Sequence, residues 1–313
     1  MSAGALPLPT AIGITVYNEE RNLDALVAAV TSERGPHVDV RQIVVVSSGS
    51  TDRTVAIARA WAARDPRVEV AIDTVRRGKA TAVNQFLERV RPDVRVCVLS
   101  GGDMLPRAGC VDALVAPFVD ASVGMTGAHP MPTNPRVAWV DRVVHLQWAL
   151  HHQLALRAPK MGELVAFRPD VPRLDPETVV DEAWLETVAI RRGQRLVYVP
   201  EAVVWNRGPS VLGELLDQRR RVFCGHLWLR GTRHYDVSSF PPRQVGRAAL
   251  EHLRAHPEDA PTMVVAGLAE LAGRALGTVD YLRGEKPFVW QRIESTKEAL
   301  SPRGPIRGSL HRE

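Results

Sequence analysis

The chain reads as an α/β protein whose mainly parallel sheet is covered by helices on both faces. Three observations predict this. Apolar runs of strand length alternate with amphipathic segments of helix length through the first 120 residues. The runs are continuous rather than alternating, which is how strands buried on both faces read. The second of these helices opens on Ser47-Ser48-Gly49-Ser50-Thr51-Asp52, a cluster of capping and turn residues.

Taken in order, residues 11–15 form a short strand. Residues 22–30 form a helix with Leu23, Leu26, Val27 and Val30 on one face. Strands follow at 42–46, 68–72 and 94–99, separated by helices at 54–63 and 79–90, and a further helix covers 109–118. Beyond Asp120 the pattern loosens. A strand is read at 123–126, and Pro130, Pro132 and Pro135 mark a loop. A helix covers 139–156. Strands at 164–167 and 196–199 flank a helix over Asp181–Arg191, and another helix covers 212–229. From Pro241 onward we expect helices and a loose basic tail over 301–313.

Composition narrows the function classes. The 313 residues are 45% hydrophobic and 24% charged, ordinary for a soluble chain. The net charge of +5 is mostly C-terminal, since residues 1–200 hold 23 basic and 22 acidic side chains and residues 201–313 hold 17 and 13. That surplus suits an anionic ligand or an anionic membrane surface, and it is too sparse for a nucleic-acid groove. Cys97, Cys110 and Cys224 lack metal-type spacing and read as buried free thiols in a reducing, cytoplasmic setting. The N-terminus shows no signal-peptide pattern, and no uninterrupted apolar run reaches about 18 residues, so no spanning helix is expected. No Gly-x-Gly-x-x-Gly occurs, which argues against a dinucleotide oxidoreductase.

The most informative stretch is the apolar run 94–99 followed by Ser100-Gly101-Gly102-Asp103. Ligands of open α/β sheets bind beyond the carboxyl ends of the strands. Glycines there admit a ligand to the backbone, and an aspartate can hold a divalent cation or a sugar hydroxyl. Lys79 is also unusual. It stands at a helix start, where the dipole disfavours a cation, so a nearby anion or carboxylate is expected.

In chain order stand Thr15-Val16-Tyr17-Asn18-Glu19-Glu20, Ser47 to Asp52, Arg77-Gly78-Lys79-Ala80-Thr81-Ala82-Val83-Asn84, and Asp103 to Pro106. Gly162-Glu163, Asp181-Glu182-Ala183 and Gln218-Arg219-Arg220-Arg221-Val222 follow. Each is weak alone. In this order and spacing they resemble a family 2 glycosyltransferase of the GT-A fold, over roughly residues 10–230. The family usually has Asp-x-Asp where this chain has Gly101-Gly102-Asp103, acidic residues where it has Ser47 and Ser48, Glu-Asp where it has Asp181-Glu182, and Trp where it has Val222.

The resemblance implies a division into a glycosyltransferase domain, 1–235, and a C-terminal helical extension with basic tail, 236–313. The first divides further into a nucleotide-sugar-binding half, 1–120, and an acceptor-binding half, 121–235. It implies an inverting transfer from a nucleotide-sugar, a UDP-sugar such as UDP-N-acetylglucosamine or UDP-glucose, to a hydroxyl or amine of a small-molecule, carrier-bound or lipid acceptor. Glu182 would be the base and Asp181 its neighbour. Thr15, Tyr17, Glu19, Ser47, Ser48, Lys79, Ser100, Gly101, Gly102, Asp103, Gln218 and Arg221 would bind the donor. Gly162, Glu163 and His152 would face the acceptor, and Asp103 with His226 would hold Mg²⁺ or Mn²⁺. A non-catalytic nucleotide-sugar binder with a degenerate site is the alternative, suggested by Ser47, Ser48 and Gly101. Nucleic acid is not an expected partner. A homodimer and peripheral membrane contact stay open, the latter through Val264, Leu268, Leu271 and Ala275 on one helical face.

Overall fold

A computed structural model describes residues 6–239 and 241–300. The basic tail expected over 301–313 lies outside the described residues. One eight-stranded sheet organises the chain. Its parallel half consists of β1 (Leu8–Val16), β2 (Val38–Ser48), β3 (Val68–Asp73) and β4 (Val96–Gly101), with β1 between β2 and β4 and with β3 outside β2. The other half is mixed. A short β7 (Val165–Phe167) runs antiparallel to both β4 and β6 (Val123–Pro132). Next to β6 lies β8 (Arg195–Asn206), parallel to it, and β5 (Met104–Pro106) closes the edge antiparallel to β8.

Successive side chains of the central strands point to opposite faces and meet different helices. Ile12, Ile14, Ile43, Val45, Val96 and Val98 form one core with Leu23, Leu26 and Val27 of α1 (Leu23–Thr31) and Val111 and Leu114 of α4 (Cys110–Val115). Ala11, Val44, Val46, Cys97 and Leu99 form the other with Val83 and Phe86 of α3 (Lys79–Leu87) and Ala183 and Trp184 of α6 (Asp181–Arg191). Each fully buried Ile or Leu contributes about 1.5–3 kcal/mol, which fixes the register of these strands. Gly13 on β1 is required by this packing, because a Cβ there would lie 2.5 Å from the Phe86 ring. Helix α2 (Thr54–Arg64) packs beside α1 and β3. Cys97, Cys110 and Cys224 are buried free thiols, as their sequence context suggests.

Two expectations of the second half need correction. The first part of the proline-marked loop is a continuation of β6, with Pro130 opposite Val204 and Pro132 opposite Asn206, while Pro135 lies in the loop beyond it. Because β7 pairs with β6 only as far as Gly127, one edge of β6 is unpaired beyond it, where prolines cost no ladder hydrogen bond. The strand read at 196–199 likewise runs on to Asn206, through a register shift opposite Gly127/His129. Three-residue β5 gives no periodicity to read.

Three long helices complete the molecule: α5 (Trp139–Ala155), α7 (Leu212–Arg233) and α9 (Ala260–Leu282), with α8 (Pro242–Ala255) against α5. The approach of α7 to α9 is close. A Cβ on Gly277 would lie 2.5 Å from the Arg220 carbonyl oxygen, and Asp280 takes both Nε and Nη2 of Arg220 at 2.5 and 2.6 Å. The chain then turns back across the carboxyl ends of the parallel strands in a segment of little regular structure, 283–300.

Candidate active site

The loops after β1, β2 and β4 meet at one end of the sheet. Asn18, at φ 53°, ties the first two together: its Oδ1 accepts from Thr51 N at 2.8 Å and its own N–H donates to Ser50 Oγ at 3.1 Å. Ser47 and Ser48 are buried here; Ser47 Oγ bonds Ser50 Oγ at 3.0 Å, and Ser48 Oγ accepts from Arg77 N at 3.4 Å. The Arg76 guanidinium lies 3.9 Å over the Tyr17 ring. On the other side of β1, Thr15 Oγ1 donates to the Ser100 carbonyl and Gly102 N donates to the Thr15 carbonyl at 3.0 Å.

The glycines of Ser100-Gly101-Gly102-Asp103 make room for carboxylates. A Cβ on Gly102 would stand 2.7 Å from Glu19 Cγ and Val16 Cγ1, and one on Gly101 would stand 2.9 Å from Asp103 Oδ1. Glu19 and Asp103 therefore lie side by side. Burial, and then the charge of Asp103, push the Glu19 carboxyl up to about 7. Asp103 stays ionised below the ordinary carboxylate range, because Lys297 outweighs its burial. The Lys297 ammonium donates to Glu19 Oε1 and, at 3.1 Å, to Asp103 Oδ2.

The second centre is Lys79. Its Nζ lies 2.9 Å from Asp181 Oδ2 and 2.5 Å from Glu182 Oε1 at the start of α6. These carboxylates are the partner that a lysine at a helix start called for. Burial works against the Lys79 charge, but the two carboxylates outweigh it and hold the ammonium protonated. The pair divides by exposure. The Asp181 side chain is 1% exposed, and burial together with the Glu182 charge raises its carboxyl; the Glu182 side chain is 19% exposed and is kept ionised by Lys79. A molecule arriving from solvent meets Glu182. Glu163, at φ 63°, joins the two centres: burial and the charges of Asp103 and Glu182 push its carboxyl up to about 8. A group that is protonated near neutrality can donate a hydrogen bond as well as accept one.

Arg221 on α7 faces this space. Its guanidinium stacks 3.9 Å over Trp290, its charge is felt by Glu182 and Glu163, and its Nε is buried without a hydrogen-bond partner. Burial and Arg219 pull it down to about 10. Gln218 stands half-buried one turn earlier on the same helix.

Two expected residues are not brought to this site. His226 lies among Lys160, Arg219 and Arg274 instead of beside Asp103, and a cationic setting disfavours a metal ion. His152 turns the other way, stacked on His129 at 4.1 Å and bonded through Nδ1 to the Tyr198 hydroxyl at 2.7 Å. Its neighbour His151 lies against Gly162, with Cε1 3.6 Å from where a Cβ on Gly162 would be.

Sequence reasoning missed the C-terminal segment. A Cβ on Gly78 would meet the Phe288 carbonyl at 2.9 Å, Trp290 lies 5.6 Å from Lys79 Nζ, Ser295 bonds Glu214, and Leu300 N donates to Asn22 Oδ1. Nothing in the pattern of 283–300 signals this placement, since these partners are 81 to 278 positions away.

Comparison with known proteins bears on the family and the fold. Residues 11–161 match the family model "Glycosyl transferase family 2". A curated relative, glycosyltransferase AglE of Haloferax volcanii, is 28% identical over 130 residues, which are 42% of this chain and 41% of the relative. The match thus spans less than half of that protein's length. A mannosyltransferase from Pyrobaculum calidifontis, solved with GDP-Man and Mn²⁺, superposes with TM-score 0.56 at 21% identity, over 89% of this chain and 88% of that one. Glucosyl-3-phosphoglycerate synthase from Mycobacterium tuberculosis, solved with Mn²⁺, UDP and phosphoglyceric acid, superposes with TM-score 0.50 at 20% identity, over 71% and 78%. These likenesses show the fold, which is GT-A.

Proposed function

We propose that this chain, whose residues 11–161 match the model of glycosyl transferase family 2, moves a sugar from a nucleotide-sugar to an acceptor hydroxyl or amine with inversion. The observation that carries this is the convergence of Lys79, Asp181 and Glu182 from two distant segments beside the Asp103 loop. A UDP-sugar is the favoured donor. Tyr17, Ser47 and Ser48 would face its base and ribose, and Asp103 and Arg221 its diphosphate.

Among the described residues no group of three or more His, Cys, Asp or Glu surrounds a single point. Asp103 nevertheless suits Mg²⁺ or Mn²⁺, being an ionised hard-oxygen ligand whose remaining partners would be phosphate oxygens and water. A cation bound there supplies positive charge to the departing diphosphate.

The chain's own residues do the rest. Glu182, the exposed member of the acidic pair, takes the acceptor proton on its carboxylate. The acceptor oxygen forms its bond to the anomeric carbon as the bond to the diphosphate oxygen breaks, and the electron pair leaves with the diphosphate. Lys79 keeps Glu182 ionised beforehand, and Arg221 offers donors to the oxygens that gain charge.

The test is UDP release from UDP-sugars in the presence of Mn²⁺. Glu182→Gln is expected to lose on the order of 10³-fold or more of the rate, as removal of a general base does, while UDP still raises the melting temperature. Release that persists in Glu182→Gln overturns the assignment of the base. Thermal stabilisation by UDP without any release in the unsubstituted chain instead supports a non-catalytic binder, the reading that Ser47, Ser48 and Gly101 favour.

A further inference from the structure

A small polar cavity lies beside α7. Lys160, Arg219, His226, Ser239, Glu270 and Arg274 line a space of about 40 Å³ between the segment preceding β7, α7 and α9. That volume admits a tetrahedral oxyanion or a few waters. Its charges do not cancel. Arg274 is paired with Glu270 at 2.7 Å. Lys160 Nζ has a neutral partner, Ser239 Oγ at 2.9 Å, and Arg219 Nε is buried without a hydrogen-bond partner. Among the described residues, neither Lys160 nor Arg219 has a carboxylate within 4.0 Å. Lys160 also feels the charge of buried Glu186, which is engaged by Met161 N and the Tyr235 hydroxyl.

The neighbours register this excess of positive charge. Burial, then Arg219, pull Lys160 down to about 8, and burial with Lys160, Arg219 and Arg274 pulls His226 down to about 3. Buried cations are normally compensated. Two cations around a small cavity, one of them with an unmet guanidinium donor, call for an anion with several oxygen acceptors.

We propose that this cavity binds the phosphate of a phosphorylated acceptor, separately from the donor diphosphate. The identification of the ligand as acceptor rests on the transferase reading above; the anion site does not. Its position fits. Glu186, bonded to Met161 N, follows Glu182 by one turn of α6, about 6 Å. In this proposal an acceptor held by its phosphate beside Lys160 extends its hydroxyl toward Glu182. The phosphate belongs to a soluble ester or to a lipid headgroup. The same helix that supplies Arg274 presents Val264, Leu268 and Leu271 to solvent at 63%, 63% and 66% exposure.

The experiment uses the full chain with UDP and Mn²⁺ saturating, and titrates inorganic phosphate and glycerol 3-phosphate by calorimetry, with the His226 ring resonances as a local reporter. Saturable binding that shifts His226 is expected. It should weaken at least tenfold in Arg219→Gln and in Lys160→Gln, with UDP affinity unchanged as evidence that both variants fold. Phosphate binding that vanishes once UDP is present, or that survives both substitutions, overturns the site. Pocket binding in a chain that never releases UDP from UDP-sugars upholds the anion site and removes the acceptor role. Cosedimentation with phosphatidylcholine vesicles only when phosphatidylglycerol is included, lost in Arg219→Gln, assigns a lipid headgroup. Binding of glycerol 3-phosphate without cosedimentation assigns a soluble ester.

Discussion

Lys297 Nζ lies 3.1 Å from Asp103 Oδ2, across 194 positions of sequence, and also donates to Glu19. A cation from the end of the chain thus sits on the carboxylate that ends the central strand loop. Burial opposes the Lys297 charge, but Asp103 and Glu19 overcome it and push the ammonium up to about 12. Lys297→Met should let Mn²⁺ bind Asp103 more tightly, on the order of tenfold or about 1.4 kcal/mol, as measured by titration of Mn²⁺ with UDP present. Equal affinity in the two proteins would show that the ammonium does not compete for Asp103.

Burial of Glu19 beside Asp103 gives stability a pH dependence, which the Lys297 ammonium opposes. The Glu19 carboxyl is raised from 4.5 to about 7. A raised carboxyl makes the native state bind more protons than the unfolded chain between those values, so stability falls as pH rises through that window. The shift corresponds to about 3 kcal/mol lost between pH 4.5 and 7. Denaturant titrations at pH 5 and pH 8 should show Glu19→Gln gaining relative to the unsubstituted protein at the higher pH. A difference between the two proteins that is the same at both pH values contradicts the shift.

Lys79→Met should be more harmful than an ordinary surface substitution. It leaves the buried Asp181 and the partly exposed Glu182 side by side without their counter-ion. Breaking one member of such a cluster costs about 3–5 kcal/mol. Chemical denaturation at neutral pH measures it, and partial recovery on acidification, as Asp181 takes a proton, identifies the cause as charge.

Gly102→Ala tests the close approach in the central loop. The added methyl would need Glu19 Cγ and Val16 Cγ1 to move from 2.7 Å. Overpacking of this kind costs about 1–3 kcal/mol, and displacing Glu19 should lower UDP binding as well. A variant of unchanged stability and affinity would show that the loop yields freely.

Trp290→Ala removes the aromatic face under Arg221, 3.9 Å away. Such contacts contribute about 0.5–2 kcal/mol. The measurable effect should be local: faster proteolytic cleavage within 285–300 without a matching drop in the melting temperature.

The parallel half of the fold was legible in the sequence because each strand there is a continuous apolar run between helices of matching period. The start of α6 at Asp181 and that of α3 at Lys79 are where the residues alone place them. The mixed half was less legible. Three-residue strands carry too few positions for a period, and Pro130 and Pro132 read as loop residues until the missing neighbour on that edge of β6 is known.

Residue types and their order by themselves determined the fold class, the glycine loop before Asp103 and the need of a lysine at a helix start for a nearby anion. Those are local facts, set by propensity, spacing and the helix dipole. Only the tertiary structure decided which groups share a charge environment. It placed Lys297 on Asp103 and Glu19, gathered His226 with three cations instead of a metal ligand, and left Glu182 open while closing Asp181. The physical reason is that electrostatic interactions depend on distance and burial, which the positions of these residues along the chain do not specify.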